Sequence, residues 1–347
     1  MAAPEAVRFR RRAHVALFDA TTLAAKGVKD QLVARSFPAA SVRLFTSKAD
    51  PDSSLTEFRG EPMLVTSPDI DTLQNLDIAF LCGSRADGAR YLDWAGRAGF
   101  VAVDLTGAAG AAGDVPLVNA SVNPEAILEG PGVIATPHPV AQLLSTLLAP
   151  VRKRCGLKEA VAVVLQPASH YGERGIDELY RQAASLLSFQ EMPKEIFGRQ
   201  LAFNLVPGWL REETREKGPG HPDLEGEVLR VTGRGYALGV QVIQAPVFHG
   251  HAAMAHLVLE AGRGPDDLAA CFDDGDEFRL ERHGEKATPV ESAGEAGILV
   301  GGIRPGLRES TFWIWAVSDD MAGGTVRNAV RIAEALLERG AGQGGRA

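Results

Sequence analysis

Ala13-His14-Val15-Ala16-Leu17-Phe18-Asp19 is an apolar run that stops on a carboxylate, and the segments on its C-terminal side set the architecture. A short run of this kind, bounded by a polar residue, predicts a buried strand; a helical stretch then extends through Arg35, and Ser41 to Thr46 forms a second strand. The same punctuation returns at Asp77 to Cys82 and at Phe100 to Leu105, with a helix-compatible segment from Asp87 to Ala98 between them. Strands alternating with helices predict a parallel, doubly wound sheet. Asn123-Pro124-Glu125 adds a short helix in which a cap precedes a first-turn proline.

Beyond this region the pattern changes. Helices are predicted at Val140 to Cys155 and Gly175 to Leu187, with a strand at Glu159 to Gln166 between them. Further strands are predicted at Phe203 to Pro207, Val228 to Thr232, Leu238 to Val247, Met254 to Leu259, Gly297 to Ile303 and Phe312 to Val317. Strands now outnumber helices, which implies a mixed α+β second domain. Glu213 to Gly226, polar and rich in Gly and Pro, reads as a surface loop. A last helix, Thr325 to Arg339, leads into a glycine-rich tail, Gly340 to Gly345, expected to be disordered. The first domain then covers residues 1–136 and is completed by a C-terminal helix within 320–347, and the second covers 137–319.

With 347 residues, 45% hydrophobic and 23% charged, the chain can bury the cores of two domains. Its formal net charge of −8 gives no electrostatic reason to expect nucleic acid or an anionic membrane as partner. The basic run Arg8 to Arg12 is short and reads as a solvated terminus. No stretch approaches the roughly 18 uninterrupted apolar residues of a membrane span. Cys82, Cys155 and Cys271 are odd in number, lack CxxC spacing and accompany no secretion signal, which fits a reducing cytoplasm better than a disulfide framework. No metal site is implied, because His249 and His251, with His256 five residues further on, match no common ligand spacing.

Several longer segments carry a resemblance. Asp114-Val115-Pro116-Leu117-Val118 with Val122-Asn123-Pro124-Glu125 is similar to the DVPLV and EVNPE stretches of the aspartate-semialdehyde dehydrogenase family. Gln166 to Leu179 resembles QAVSGAGxxAIDEL, Leu201 to Pro207 resembles IAFNxIP, and Pro246 to His251 resembles PVFxGH. Trp315 to Asp320, then Asn328 to Glu334, are similar to WxVADN and NAVQIAE. The shared order spans almost the whole chain. It implies a Rossmann-like domain that in the family binds NADP, followed by an α+β dimerisation domain of the glyceraldehyde-3-phosphate dehydrogenase kind. It also implies a cytoplasmic homodimer. A heteromer with a related dehydrogenase is compatible with the resemblance, although no residue points to one.

The departures fall on the family's chemistry. Gly132 to Gln142 is similar to the loop IANPNCSTxQ, yet Pro139 stands for the cysteine and His138 for the asparagine before it. Thioester formation needs an ionisable sulfur beside a base, and a proline ring offers neither. The phosphate-cradling turn, GATGxVG in the family, reads Asp19-Ala20-Thr21-Thr22-Leu23-Ala24-Ala25, with every glycine gone. Those glycines permit the tight turn and let backbone amides approach the pyrophosphate. The arginine for the 2′-phosphate falls on Ala49 beside Lys48, an arginine for inorganic phosphate on Gly110, and the arginine for the substrate carboxylate on Gln244. An amide does not supply bidentate, charged pairing. The family's ExxK loop falls near Gly218 to Glu227, which holds no lysine.

Two relic positions remain, Gln166 and His251, the latter matching the family's general base. On the residues alone, Gln166 reads as structural, His138 as a loop residue, and His251 as a histidine kept because Gly250-His251 shapes a turn and hydrogen-bonds locally. The joint loss implies a catalytically inactive homologue resembling the Usg-like branch of the family, with no cofactor, acting as a dimeric protein-interaction or ligand-binding module. The alternative is an NAD(P)-dependent oxidoreductase acting on an aldehyde or related small metabolite, its chemistry relocated to His251 or His138, because hydride transfer itself needs no thiol.

Overall fold

The computed structural model describes residues 12–47, 55–110, 114–127, 132–208, 223–273, 275–281 and 287–343. The chain divides into two units, Met1–His138 with Thr325–Ala347, and Pro139–Gly324.

In the first unit β1 (Ala13–Phe18), α1 (Leu23–Ala34), β2 (Ala39–Phe45), a hairpin of β3 (Leu55–Phe58) and β4 (Glu61–Leu64), β5 (Ile78–Leu81), α2 (Arg85–Ala98), β6 (Val101–Asp104) and β7 (Gly132–Ala135) succeed one another. Five strands form an all-parallel sheet in the order β2-β1-β5-β6-β7. Crossovers cover both faces of such a sheet, so its strands must be apolar throughout, and Val15, Ala16, Leu17 and Phe18 are all fully buried. The helices α1 and α2 start at hydroxyl caps: Thr22 accepts from the Ala25 N–H, and Ser84 accepts from the Asp87 N–H. Strand order reverses between β1 and β5, and the carboxyl ends at such a reversal are where open α/β sheets bind ligands. Asn123 does not cap its short helix; its amide accepts from the Asn119 N–H and donates to the Leu117 carbonyl instead.

The second unit holds α3 (Pro139–Cys155), β8 (Glu159–Gln166), α4 (Gly172–Leu187), β9 (Val206–Pro207), α5 (Leu224–Thr232), β10 (Ala237–Gln244), β11 (His251–Val258), α6 (Pro265–Ala270), β12 (Phe278–Glu281), β13 (Ile298–Pro305) and β14 (Thr311–Ser318). Its mixed sheet runs β12-β13-β14-β11-β8-β10-β9. Residues of α3, α5 and α6 form one core with the inward positions of this sheet. Alternation along β8 sends Ala160, Ala162 and Val164 into that core and Val161, Val163 and Leu165 to the opposite face. That opposite face is open: Val161 is 44% exposed and Trp313 of β14 is 40% exposed.

The structure departs from further expectations. Val228 to Thr232 is the second half of α5, opened by the Asp223 carboxylate accepting the Gly226 N–H, with Val228, Val231 and Thr232 buried at helical spacing. A short apolar run fits either period, and the cap lay outside the run. Only Val206–Pro207 of the expected Phe203 to Pro207 strand pairs with β10, since Phe203 turns away at φ +60°. The loop expected from Glu213 lies outside the described residues up to 222, and 224–226 already belong to α5.

The IDEL segment of α4 has a structural task. Glu178 accepts the Ile196 and Phe197 amides, and Gln182 accepts those of Leu201 and Ala202, so one buried helix face holds the segment before β9.

The chain then returns to the first unit as α7 (Gly324–Gln343), which continues through residues 340–343 of the tail expected to be disordered. Val326, Ala329, Val330, Ala333 and Leu336 of α7 join the core of the parallel sheet. Asn328 pins the helix: its amide nitrogen donates to the Val118 carbonyl and its oxygen accepts from the Ala120 N–H, both at 2.8 Å. Glu334 accepts two hydrogen bonds from Arg35, at 2.9 and 2.7 Å. Replacing Asn328 by Leu strands both backbone groups, and the urea midpoint should fall by an amount equivalent to about 2–4 kcal/mol; a change within error would mean that the amide is dispensable.

Candidate functional site

At the end of β1, Asp19 adopts φ +57°, a left-handed conformation natural to glycine and tolerated by aspartate. The turn therefore survives the loss of glycine, with a carboxylate added to it. Asp19 Oδ1 accepts from the N–H and the hydroxyl of Ser47, both at 2.9 Å. Its Oδ2 is buried and has no hydrogen-bond partner. A Cβ built on Gly83, just beyond β5, would lie 2.0 Å from that oxygen. The carboxylate thus fills the space over Gly83 where the strand order reverses. Next to it Ala20 donates its N–H to the Phe45 carbonyl, Thr21 continues the turn, and Leu23 opens α1. The Thr22 hydroxyl accepts from Ala25 and donates to the Cys82 carbonyl at 2.9 Å. Ala25, in the place of the last glycine, is fully buried in the core. Lys48 and Ala49 lie outside the described residues.

The neighbouring strand end also carries a carboxylate. Asp104 closes β6, fully buried, and accepts from the Thr106 N–H and hydroxyl and from the Ala109 N–H, so the loop toward Gly110 folds around its own acid. Nearby groups register the two charges. The Cys82 thiol is pushed up by burial and then by Asp19 and Asp104, and the Tyr91 hydroxyl is pushed up to about 12 by burial and then by Asp19. A pyrophosphate requires close backbone approach, free helix N–H groups and positive potential. This turn supplies side chains, a capped helix and negative charge, so its residues do not fit the diphosphate of NADP.

In the second unit the parallel register of β8 and β10 sets Gln166 opposite Gln244. Gln166 Nε2 donates to Gln244 Oε1 at 3.0 Å and to the Tyr171 hydroxyl at 3.1 Å, while Gln244 Nε2 donates to the Gln166 carbonyl at 2.9 Å. Both glutamines are buried. The Gln244 amide, expected from the resemblance to stand where the family carries an arginine, is spent on its neighbour.

His251 opens β11 and belongs to a separate hydrogen-bonded group. Its Nδ1 lies 2.5 Å from Asp320 Oδ1; Asp320 Oδ2 accepts from the Ser169 hydroxyl at 2.5 Å and the Gly250 N–H at 3.0 Å. Burial pushes the Asp320 carboxyl up, but the His251 charge and the hydrogen bonds from His251, Ser169 and Gly250 outweigh it and hold it at about 2. The His251 ring is 3% exposed, and its Nε2 is buried without a hydrogen-bond partner. Asp319 builds the supporting turn, accepting the amides of Met321, Ala322 and Gly294. His251 is therefore anchored by a residue 69 positions along the chain, not by the local turn expected of it. Asp320 and Ser169 were not picked out from the sequence. The signal for Asp320 was there: a carboxylate stands where the WxVADN pattern ends in an amide.

Pro139 is the first residue of α3, half-buried, with Val140 to Leu148 all buried behind it. A missing N–H is harmless at that helix position, so the helix keeps its start while the position has neither sulfur nor donor. His138 immediately precedes the helix. The cysteines are all buried, and Cys155 and Cys271 meet each other at 3.5 Å in the core. Among the described residues no cluster of three or more His, Cys, Asp or Glu is placed to hold a metal, and no helix is long and apolar enough to cross a membrane.

Two family profiles match the chain: the NAD binding domain of semialdehyde dehydrogenase over residues 15–130, and the dimerisation domain of semialdehyde dehydrogenase over residues 148–322. Aspartate-semialdehyde dehydrogenase 2 of Vibrio cholerae is 28% identical over 336 residues, covering 93% of this chain and 97% of the relative. The USG-1 protein homolog of Azotobacter vinelandii is 27% identical, covering 94% and 98%. The crystal structure of aspartate semialdehyde dehydrogenase II complexed with ASA, from Vibrio cholerae, superposes with a TM-score of 0.85 at 27% identity, over 94% of this chain and 98% of that one.

Asp320 titrates at about 2 in the folded protein against an ordinary 3.8. A depressed carboxyl stabilises the fold above the unfolded value, and the benefit, on the order of 2 kcal/mol, is lost as pH falls from about 4 to about 2. In Asp320→Asn that acid-linked loss should vanish, so the difference in unfolding free energy between parent and variant narrows across this window; a constant difference would mean that the carboxylate is not held low.

Proposed function

The chain belongs to the semialdehyde dehydrogenase family, and from that footing we propose that it is a homologue that has given up NADP-dependent thioester chemistry and works as a dimeric protein-interaction or ligand-binding module. Pro139 at the head of α3 carries the proposal, because no side chain there ionises or attacks a carbonyl. Asp19 over Gly83, and Gln244 locked to Gln166, support it independently: one sets negative charge in the diphosphate turn, the other removes the cation for a substrate carboxylate.

For the dimer the support is the open face of the second unit's sheet. Val161, Val163, Met254, His256 and Trp313 line it, with His256 against Trp313 at 4.8 Å. An apolar sheet face left bare in one chain is the usual mark of an association surface, and a second copy of this chain is its proposed occupant. A related dehydrogenase chain would meet the same surface.

The second reading, an NAD(P)-dependent oxidoreductase acting on an aldehyde or related small metabolite, draws on the intact His251–Asp320 pair.

Aspartate-semialdehyde, NADP and phosphate should yield no NADPH with the parent chain, and Pro139→Cys alone should stay inactive because the glycine turn and the arginines for inorganic phosphate and substrate carboxylate remain absent. Titration of tryptophan fluorescence with NADP or NAD should show no saturation up to millimolar. Saturation at micromolar levels favours the oxidoreductase, and turnover by Pro139→Cys would overturn the proposal.

Sedimentation should give a dimer, and Trp313→Glu should shift it to monomer; an unchanged dimer would place the interface elsewhere.

A further inference from the structure

We propose that Asp320 is a positioning residue that fixes His251 as a proton acceptor at Nε2, so that ring and carboxylate together form a base for the O–H group of a small uncharged ligand. This rests on the proposed loss of thioester chemistry in one respect, that no thiol at position 139 competes for the proton.

The argument starts from which atoms can donate. Gly250 offers Asp320 Oδ2 a backbone N–H, which only donates, and Ser169 offers the same oxygen its hydroxyl. A carboxylate satisfied by donors on one oxygen, and held ionised to about 2, has no proton to give from the other. The 2.5 Å contact between Asp320 Oδ1 and His251 Nδ1 therefore requires the hydrogen on Nδ1. In the neutral ring the lone pair then falls on Nε2, the buried atom with no hydrogen-bond partner. Folding leaves few buried acceptors unmet, and those it does leave call for an explanation.

Charge selects the ligand. Titratable groups beside the ring include Asp320 at Nδ1 and His170 on the 3-10 turn Ala168–Tyr171, edge-on at 6.1 Å, with His249 two residues before it in the chain and Asp319 next to Asp320. Gln244, where the family carries its arginine, is tied to Gln166. An anionic ligand would meet the Asp320 carboxylate behind the ring as a like charge. A neutral hydroxyl meets the acceptor without that penalty. The step is simple: the ligand O–H proton passes to Nε2, its oxygen keeps the electron pair, and the imidazolium that forms is stabilised by Asp320. No sulfur takes part.

The tautomer gives a sharp test. In Asp320→Asn the Gly250 N–H and the Ser169 hydroxyl demand the amide oxygen on their side, so the NH2 group turns toward His251 Nδ1 and forces the hydrogen onto Nε2. Nitrogen NMR of the full-length, histidine-labelled protein at about pH 8, where an ordinary imidazole is neutral, should show Nδ1–H in the parent chain and Nε2–H in Asp320→Asn. His251→Gln assigns the signal among the eight histidines. Nε2–H in the parent, or the same tautomer in both, overturns the positioning role, and the parent measurement stands even if the variant misfolds.

Ethanol and acetate, similar in size, then probe the ligand class. Ethanol should shift the His251 Nε2 signal saturably in the parent and not in Asp320→Asn, with acetate inert. A response to acetate alone, or to neither, overturns the class. NADPH formation from aspartate-semialdehyde would defeat the proposed loss of thioester chemistry while leaving the tautomer result intact.

Discussion

The burial of α7 on the parallel sheet of the first unit is the constraint on which the rest depends. A parallel sheet needs both faces covered, and Val326, Ala329, Val330, Ala333 and Leu336 supply part of that cover from the far end of the chain. Asn328 turns this apolar contact into a specific one by pairing with the backbone of Val118 and Ala120. The second unit is consequently an excursion that starts and finishes at the first. Its opening residue, Pro139, and its closing acid, Asp320, both fall next to the points where the chain changes unit.

Each departure is absorbed locally. Asp19 keeps the left-handed turn and spends one carboxylate oxygen on Ser47. Thr22 caps the helix whose amides a phosphate would have taken, and Ala25 packs into the core. Gln166 and Gln244 satisfy one another, and Pro139 sits at the one kind of helix position where its missing N–H costs nothing. The partners of these positions are those of ordinary structural satisfaction. His251 differs, since its ring is anchored on one side by Asp320, itself held by Ser169 and Gly250, while its buried Nε2 has no hydrogen-bond partner.

The parallel strands were legible because burial on both faces demands unbroken apolar runs, as in Ala13 to Phe18 and Ile78 to Leu81. Glu159 to Gln166 was legible through its alternation, which reflects a sheet with one covered face. Where the run was short, periodicity failed: Val228 to Thr232 reads equally as strand or helix, and only Asp223 outside it decides. The strand β12 and the helix α6 are brief and polar at their edges, and gave no period to detect.

Composition, apolar periodicity and motif order were enough to determine a parallel-sheet unit followed by a mixed α+β unit, and that a proline stands at position 139 and no glycine stands between Asp19 and Ala25, because these are statements about which atoms exist. Which atoms meet was decided by tertiary structure alone. The pairing of Gln166 with Gln244 follows from strand register, and that of His251 with Asp320 joins residues 69 positions apart. Hydrogen bonds between distant residues leave no period in a sequence, so the acid that pairs with the His251 imidazole becomes visible only once β11 and β14 lie side by side.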